Sequence, residues 1–180
     1  LLVNVKPHGT HSVGEFGLAG GVRALMKELS PHLNGDCLTV TGKTVAENLA
    51  TAETAYLRDV IRPYDDPILP YGGIAVMKGN LAPGGCVVKR SAASEHLLKH
   101  RGPAKVFDDL AVAEKYLLDE NNDMTPDTVI VLRGYGPVGA PGMPEFGNYL
   151  PIPPNLYKQG VKDFVRITDS RMSGGAFGTV

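Results

Sequence analysis

Cysteine is scarce in this chain. Only Cys37 and Cys86 occur in 180 residues, far apart and without a CxxC pair, which argues against a disulfide framework and against a closed cysteine metal site. A reducing, cytoplasmic compartment fits that usage. Long apolar runs are lacking too: none approaches the roughly 20 residues that span a bilayer, and the opening residues do not read as a basic-then-apolar leader. Nor does charge of one sign dominate. Eighteen Lys and Arg against nineteen Asp and Glu leave a formal net charge of −1, with no basic cluster or aromatic ladder to engage phosphates and bases, so a nucleic-acid binder is not expected. No internal repeat is found.

What is present is a globular composition, 43% hydrophobic and 21% charged, in a length that suits one domain and part of another. The 22 Gly and 14 Pro exceed average usage and cluster at 79–85 and 133–154, so the excess belongs to loops. Leu1 to Val5 reads as the end of a strand, followed by a turn at Lys6-Pro-His-Gly9. A helical period runs over Glu15 to Leu29 and ends or kinks at Pro31. Asp36 to Val40 is a strand candidate, and Thr41 or Thr44, the latter with Glu47 as a capping box, can cap a helix expected to reach about Val60. Pro63-Tyr-Asp-Asp-Pro67 reads as a boundary. Beyond it, short strands are expected at Gly73–Lys78 and Cys86–Lys89, then a helix over Lys105 to Leu118 with Asp108 as its cap. A strand over Asp127 to Leu132, a helical turn at Leu156 to Gly160 and a strand over Asp163 to Ile167 follow. The mixture makes an α/β or α+β chain in two unequal pieces, and the second piece stays open between a small sheet and a barrel.

Two stretches concentrate the chemistry. One is Gly134-Tyr-Gly-Pro-Val-Gly-Ala-Pro-Gly-Met-Pro-Glu-Phe-Gly147 and the other is Ile167-Thr-Asp-Ser-Arg-Met-Ser-Gly-Gly-Ala-Phe-Gly-Thr-Val180. Each follows a β-branched run, and each then turns into a Gly-rich loop carrying one or two reactive side chains. Glycines at 174, 175 and 178 allow backbone N–H groups to approach carboxylate or phosphate oxygens. Ser173 stands ahead of them as a ligand donor, an N-cap, or a nucleophile or base. Its surroundings are not G-x-S-x-G, and no His–Asp relay is evident. Glu145 is the only carboxylate between Asp127 and Asp163; it is either a solvated loop acid or an oxygen ligand for Mg²⁺. Arg171 can meet a substrate carboxylate or pair with Asp169 or another acid, the pairing being preferred.

Four ordered motifs, Gly35-Asp-Cys-Leu-Thr-Val-Thr-Gly-Lys-Thr44, Gly79-Asn-Leu-Ala-Pro83, Pro141-Gly-Met-Pro-Glu145 and Ser170-Arg-Met-Ser-Gly-Gly-Ala-Phe-Gly178, resemble the dihydroxy-acid and phosphogluconate dehydratase family over nearly the whole chain. That resemblance implies an α/β fold in which residues 1–62 are the tail of an N-terminal cluster-binding domain. Residues 63–180 are then most of a C-terminal swivelling β-barrel (β/β/α). It implies a hydro-lyase that turns a 2,3-dihydroxy acid into a 2-keto-3-deoxy acid, with Ser173 as base, Glu145 as Mg²⁺ ligand, and Arg171, Gly174 and Gly175 in substrate binding. It also implies an iron–sulfur cluster whose ligands lie in an N-terminal half outside this chain, and a homodimer or higher oligomer. The isolated chain is therefore expected to be colourless and inactive. Asn148-Tyr-Leu-Pro-Ile-Pro-Pro154 ahead of Leu156-Tyr-Lys-Gln-Gly160 resembles the sugar-acid branch. Some sugar-acid dehydratases have Ser-Gly-Thr where this chain has Ser173-Gly-Gly175.

Other features read more plainly. Gly42-Lys-Thr44 lacks the glycine that a phosphate loop needs five residues earlier, where Cys37 stands, so a strand-to-helix turn with a Thr cap is expected. His96 and His100 have i, i+4 spacing but no third ligand, and their polar neighbours favour an exposed surface. His8 and His11 approach each other only if their turn folds suitably. The rival class is a non-catalytic swivelling module that binds a small acid or a partner domain.

Overall fold

The computed structural model describes residues 1–136, 138–139, 150–171 and 178–180. Its contacts divide the chain into two compact units, Leu1–Gly72 and Gly73–Val180. Among the described residues no helix is long and apolar enough to cross a membrane.

The first unit is helical. α1 (Val13–Leu18) starts at Ser12, whose hydroxyl accepts the N–H of Glu15 while the Glu15 carboxylate accepts from Ser12. The expected single helix over Glu15 to Leu29 is broken. Gly20 lies in the left-handed region at φ 106°, which separates α1 from α2 (Gly21–Glu28), and Pro31 then opens a 3-10 turn at Ser30–His32. Asp36 to Val40 is not a strand; Leu38 makes only an isolated bridge to Thr44. The capping box at Thr44 and Glu47 is present, but α3 spans only Val45–Leu49 and does not reach Val60. The chain leaves the helix because Ala55, Val60 and Ile61 are drawn into a core with Ala19 and Ala24. Ile61 also pairs with Val3 as an antiparallel bridge, which needs extended backbone. Thr44→Ala removes the acceptor for the Glu47 N–H, an N-cap worth roughly 1 kcal/mol. Amide exchange at Glu47 in the intact protein should accelerate about fivefold.

The second unit carries the sheets. β1 (Ala75–Met77) and β2 (Cys86–Val88), both expected as short strands, pair antiparallel in a hairpin. Lys105 to Phe107 belong to a strand, not to the start of the expected helix. β3 (Ala104–Phe107) pairs in parallel with β4 (Val129–Leu132), and that pairing overrides the helical spacing of Val106 with Leu110. Asp109, not Asp108, caps α4 (Leu110–Leu118) by accepting the N–H of Val112. α5 (Pro154–Lys158) precedes β5 (Arg166–Thr168), which pairs in parallel with the other side of β4. The order β3-β4-β5 puts β4 in the centre, and its near-continuous apolar sequence suits burial on both faces. Ile130 and Leu132 cluster with Ala113, Leu117, Leu150, Leu156 and Phe164, all fully buried. Each of the larger side chains contributes roughly 1.5–3 kcal/mol of hydrophobic stabilisation. The described strands form open sheets of two and three strands and do not close a barrel among themselves.

Candidate active site

Parallel pairing sets β4 and β5 side by side with the same polarity, Leu132 opposite Thr168, so residues 133 and 169 leave one edge of the sheet together. In open α/β sheets that edge, outside the carboxyl ends of the strands, is where ligands bind. The exit of β4 is held firmly. Arg133 makes a bidentate pair with Asp108, Nε to Oδ1 at 2.7 Å and Nη2 to Oδ2 at 2.8 Å. The guanidinium keeps the Asp108 carboxyl below its usual range. The Tyr135 hydroxyl accepts the N–H of Leu110 at 2.8 Å. Between them Gly134 has φ 78°, a left-handed conformation that helps turn its N–H and that of Tyr135 toward one acceptor. That acceptor is Asp169: Gly134 N–H donates to Oδ2 at 3.0 Å and Tyr135 N–H to Oδ1 at 2.9 Å.

A second carboxylate secures the far side of the β5 loop. Asp163 is buried and accepts four donors. Phe164 N–H and Thr179 N–H reach Oδ1, both at 2.9 Å; Thr179 Oγ1 reaches Oδ2 at 2.7 Å, and Ser94 N–H reaches Oδ2 at 3.2 Å. Burial pushes its carboxyl up, but hydrogen bonds from Thr179 and Ser94 outweigh that and hold it below its ordinary value. Arg166 N–H donates to Thr179 O at 2.9 Å. The Arg166 guanidinium lies over the Phe164 ring, 4.3 Å from its centroid. Burial lowers the pKa of Arg166, and the negative charge of Asp163 opposes the shift. Gly178, at φ 86°, fits beneath this group, since a Cβ there would lie 2.6 Å from Asp163 Oδ1.

Of the residues singled out from the sequence, Arg171 follows β5 and is half-buried. Ser173, Gly174, Gly175 and Glu145 lie outside the described residues. Asp169, one of the acids with which Arg171 is expected to pair, accepts the backbone N–H groups of Gly134 and Tyr135 on its two oxygens. His96 sits in a 3-10 turn at Glu95–Leu97 and His100 beyond it, where Nε2 lies 2.9 Å from Asp127 O, so they do not share one helical face. His11 contacts Glu15 at 2.9 Å, and that hydrogen bond leads the causes that bring the Glu15 carboxyl down to about 2. Gly42 lies in the turn before the Thr44 cap. Cys37 is exposed and Cys86 half-buried in β2. Among the described residues no three His, Cys, Asp or Glu converge to hold a metal, so they do not fit an iron–sulfur cluster. Asp163, Asp169 and Tyr135 were not picked out as site residues. Only Asp169 carried a signal, its position directly after a β-branched run.

An open parallel sheet whose two outer-loop entries are tied at one edge defines an α/β protein with its candidate site at the strand ends. Residues 59–180 match the Dihydroxy-acid/6-phosphogluconate dehydratase C-terminal family, and residues 1–48 match the corresponding N-terminal family. The chain belongs to the dihydroxy-acid/6-phosphogluconate dehydratase family. It is 47% identical to the 6-deoxy-6-sulfo-D-gluconate dehydratase of Pseudomonas putida and 47% identical to the L-arabonate dehydratase of Azospirillum brasilense, each over 99% of the chain. It is 40% identical to the dihydroxy-acid dehydratase of Methanothermobacter thermautotrophicus (strain ATCC 29096 / DSM 1053 / JCM 10044 / NBRC 100330 / Delta H) over 98% of the chain. The chain spans about a third of the length of these curated relatives, 31% of each.

Proposed function

We propose that the intact protein is a hydro-lyase that dehydrates a sugar acid, or a related 2,3-dihydroxy acid, to a 2-keto-3-deoxy acid. The observation that carries this reading is the parallel pair β4–β5 with Asp169 joining its exits, because it starts the two Gly-rich stretches from adjacent points. Family membership supplies the reaction class, and two sugar-acid dehydratases at 47% identity support the substrate class.

In this reading Ser173 takes the proton from C2. The electron pair of the broken C–H bond forms the C2–C3 double bond, hydroxide leaves C3 and is protonated to water, and the enol tautomerises to the keto acid. Arg171 and the N–H groups of Gly174 and Gly175 hold the substrate carboxylate as charge develops on it. Glu145 is the residue of this chain assigned to Mg²⁺. The iron–sulfur cluster, which would act as Lewis acid toward the leaving hydroxyl, takes its ligands from the rest of the protein. A swivelling barrel completed by residues beyond the described strands, a cytoplasmic location and a homo-oligomer belong to the same proposal.

Keto-acid formation by the anaerobically purified intact protein, measured on a panel of aldonic and branched dihydroxy acids, tests it. Turnover of a sugar acid is expected, and no turnover on any member would sink the proposal. The isolated 180-residue chain should be colourless and form no keto acid above background. Measurable catalysis by that chain alone would show that the cluster and the remaining protein are dispensable.

A further inference from the structure

Asp169 is an exposed carboxylate, yet neither of its oxygens is given over to water alone: each accepts a backbone N–H from the opposite strand exit. The positive φ of Gly134 makes a nest of two successive N–H groups, the kind of concavity that binds anions, and here the protein's own side chain fills it. The β4–β5 ladder itself stops at Leu132 and Thr168, one residue earlier. The side chain of Asp169 therefore carries the alignment of the two strands past the point where backbone pairing ends. Each side of this junction is separately braced. Arg133 and Tyr135 are tied to Asp108 and Leu110 at the start of α4, and Ser170 N–H donates to Thr168 Oγ1 at 3.2 Å. Gly136 passes close by, where a Cβ would lie 3.7 Å from Asp169 O.

We infer that Asp169 is a positioning residue that sets the stretch leaving β4 against the stretch leaving β5, and so sets the spacing between the groups each stretch brings to substrate. This rests on the dehydratase reading, in which Glu145 follows one exit and Ser173 the other. The magnitudes separate this role from a role in stability. Hydrogen bonds to an exposed carboxylate change local opening by about tenfold. A misplacement of about 1 Å between reacting groups costs on the order of a hundredfold in rate.

The test compares Asp169→Ala and Asp169→Asn with the unsubstituted intact protein, using kcat, KM, the thermal midpoint and amide exchange at Gly134 and Tyr135. In Asp169→Ala we expect kcat to fall about thirtyfold to a hundredfold, with KM within about threefold and the melting midpoint nearly unchanged. Exchange at the two amides should rise about tenfold. Asp169→Asn keeps one acceptor and should recover part of the lost kcat. Wild-type kcat in Asp169→Ala, or a loss no larger than the unfolded fraction, would overturn the inference. An unsubstituted protein without dehydratase activity would overturn the functional reading instead. The clamp would then be judged by exchange alone, and unchanged exchange at Gly134 and Tyr135 would overturn it.

Discussion

Ser173→Ala in the intact protein is expected to lower kcat for keto-acid formation by about 10²- to 10⁴-fold, the usual range for loss of a general base. The reason lies in the local sequence. From Met172 to Gly178 the side chains are Met, Ser, Ala, Phe and the hydrogens of three glycines, so Ser173 is the one proton acceptor among the side chains of that stretch. Because the role proposed for the hydroxyl is at the C2 proton and not at the substrate carboxylate, KM should change far less than kcat. Exchange of the substrate C2 hydrogen with solvent should fall in step with turnover. Iron content and the visible spectrum matching the parent would show that the proposed cluster is intact. A Ser173→Ala enzyme with parental kcat would remove Ser173 from the chemistry while leaving the family assignment in place.

Asp163→Ala should be the most damaging substitution among the described polar residues of the second unit. It takes an acceptor from the N–H groups of Phe164, Thr179 and Ser94 and from the Thr179 hydroxyl, leaving Ser94 N–H only Thr179 Oγ1 at 3.2 Å, and it removes a negative charge that acts on the buried Arg166. Breaking a buried, hydrogen-bonded charged group of this kind costs roughly 3–5 kcal/mol. Amide exchange at Ser94 and Thr179 should accelerate by about a hundredfold or more. The contribution also depends on pH. The folded carboxyl sits below its ordinary 3.8, so it stabilises the fold fully above that pH. The contribution is lost as pH falls from 3.8 through the lower folded value, because the unfolded chain takes up the proton first. Parent and Asp163→Asn should differ by a constant amount near neutrality and converge in that acid window. A difference that did not change with pH would show that the Asp163 charge is not what the fold uses.

Local chemistry made much of the fold legible. The Thr44–Glu47 box, the β1–β2 hairpin and the apolar run of β4 could be read because each depends on residues within a few positions of one another. Features decided by distant partners could not. Lys105 to Phe107 has helical spacing toward Leu110, yet it becomes a strand because Val129 to Leu132 offers a backbone ladder. The helix after Thr44 ends early because Ile61 pairs with Val3. At the site, the β-branched runs that lead into the two Gly-rich stretches could be read as strands, whereas the partners of Asp163 and Asp169 could not. Asp169 spends its charge on N–H groups 34 and 35 residues away, and Asp163 reaches Ser94 across 69 positions. Nothing in a single sequence marks such pairs.

The Asp163 group also has a consequence for the order of events during synthesis. Ser94, Asp163 and Thr179 close one small knot of hydrogen bonds, yet 85 positions separate the first from the last. The hairpin and α4 use neighbouring residues and can form while the ribosome is still adding later ones. The Ser94 segment must wait for its final partner until Thr179 has cleared the exit tunnel. Locking of this unit should therefore come late, and a nascent chain stalled before that residue should remain open to proteases at Ser94 long after its helices have formed.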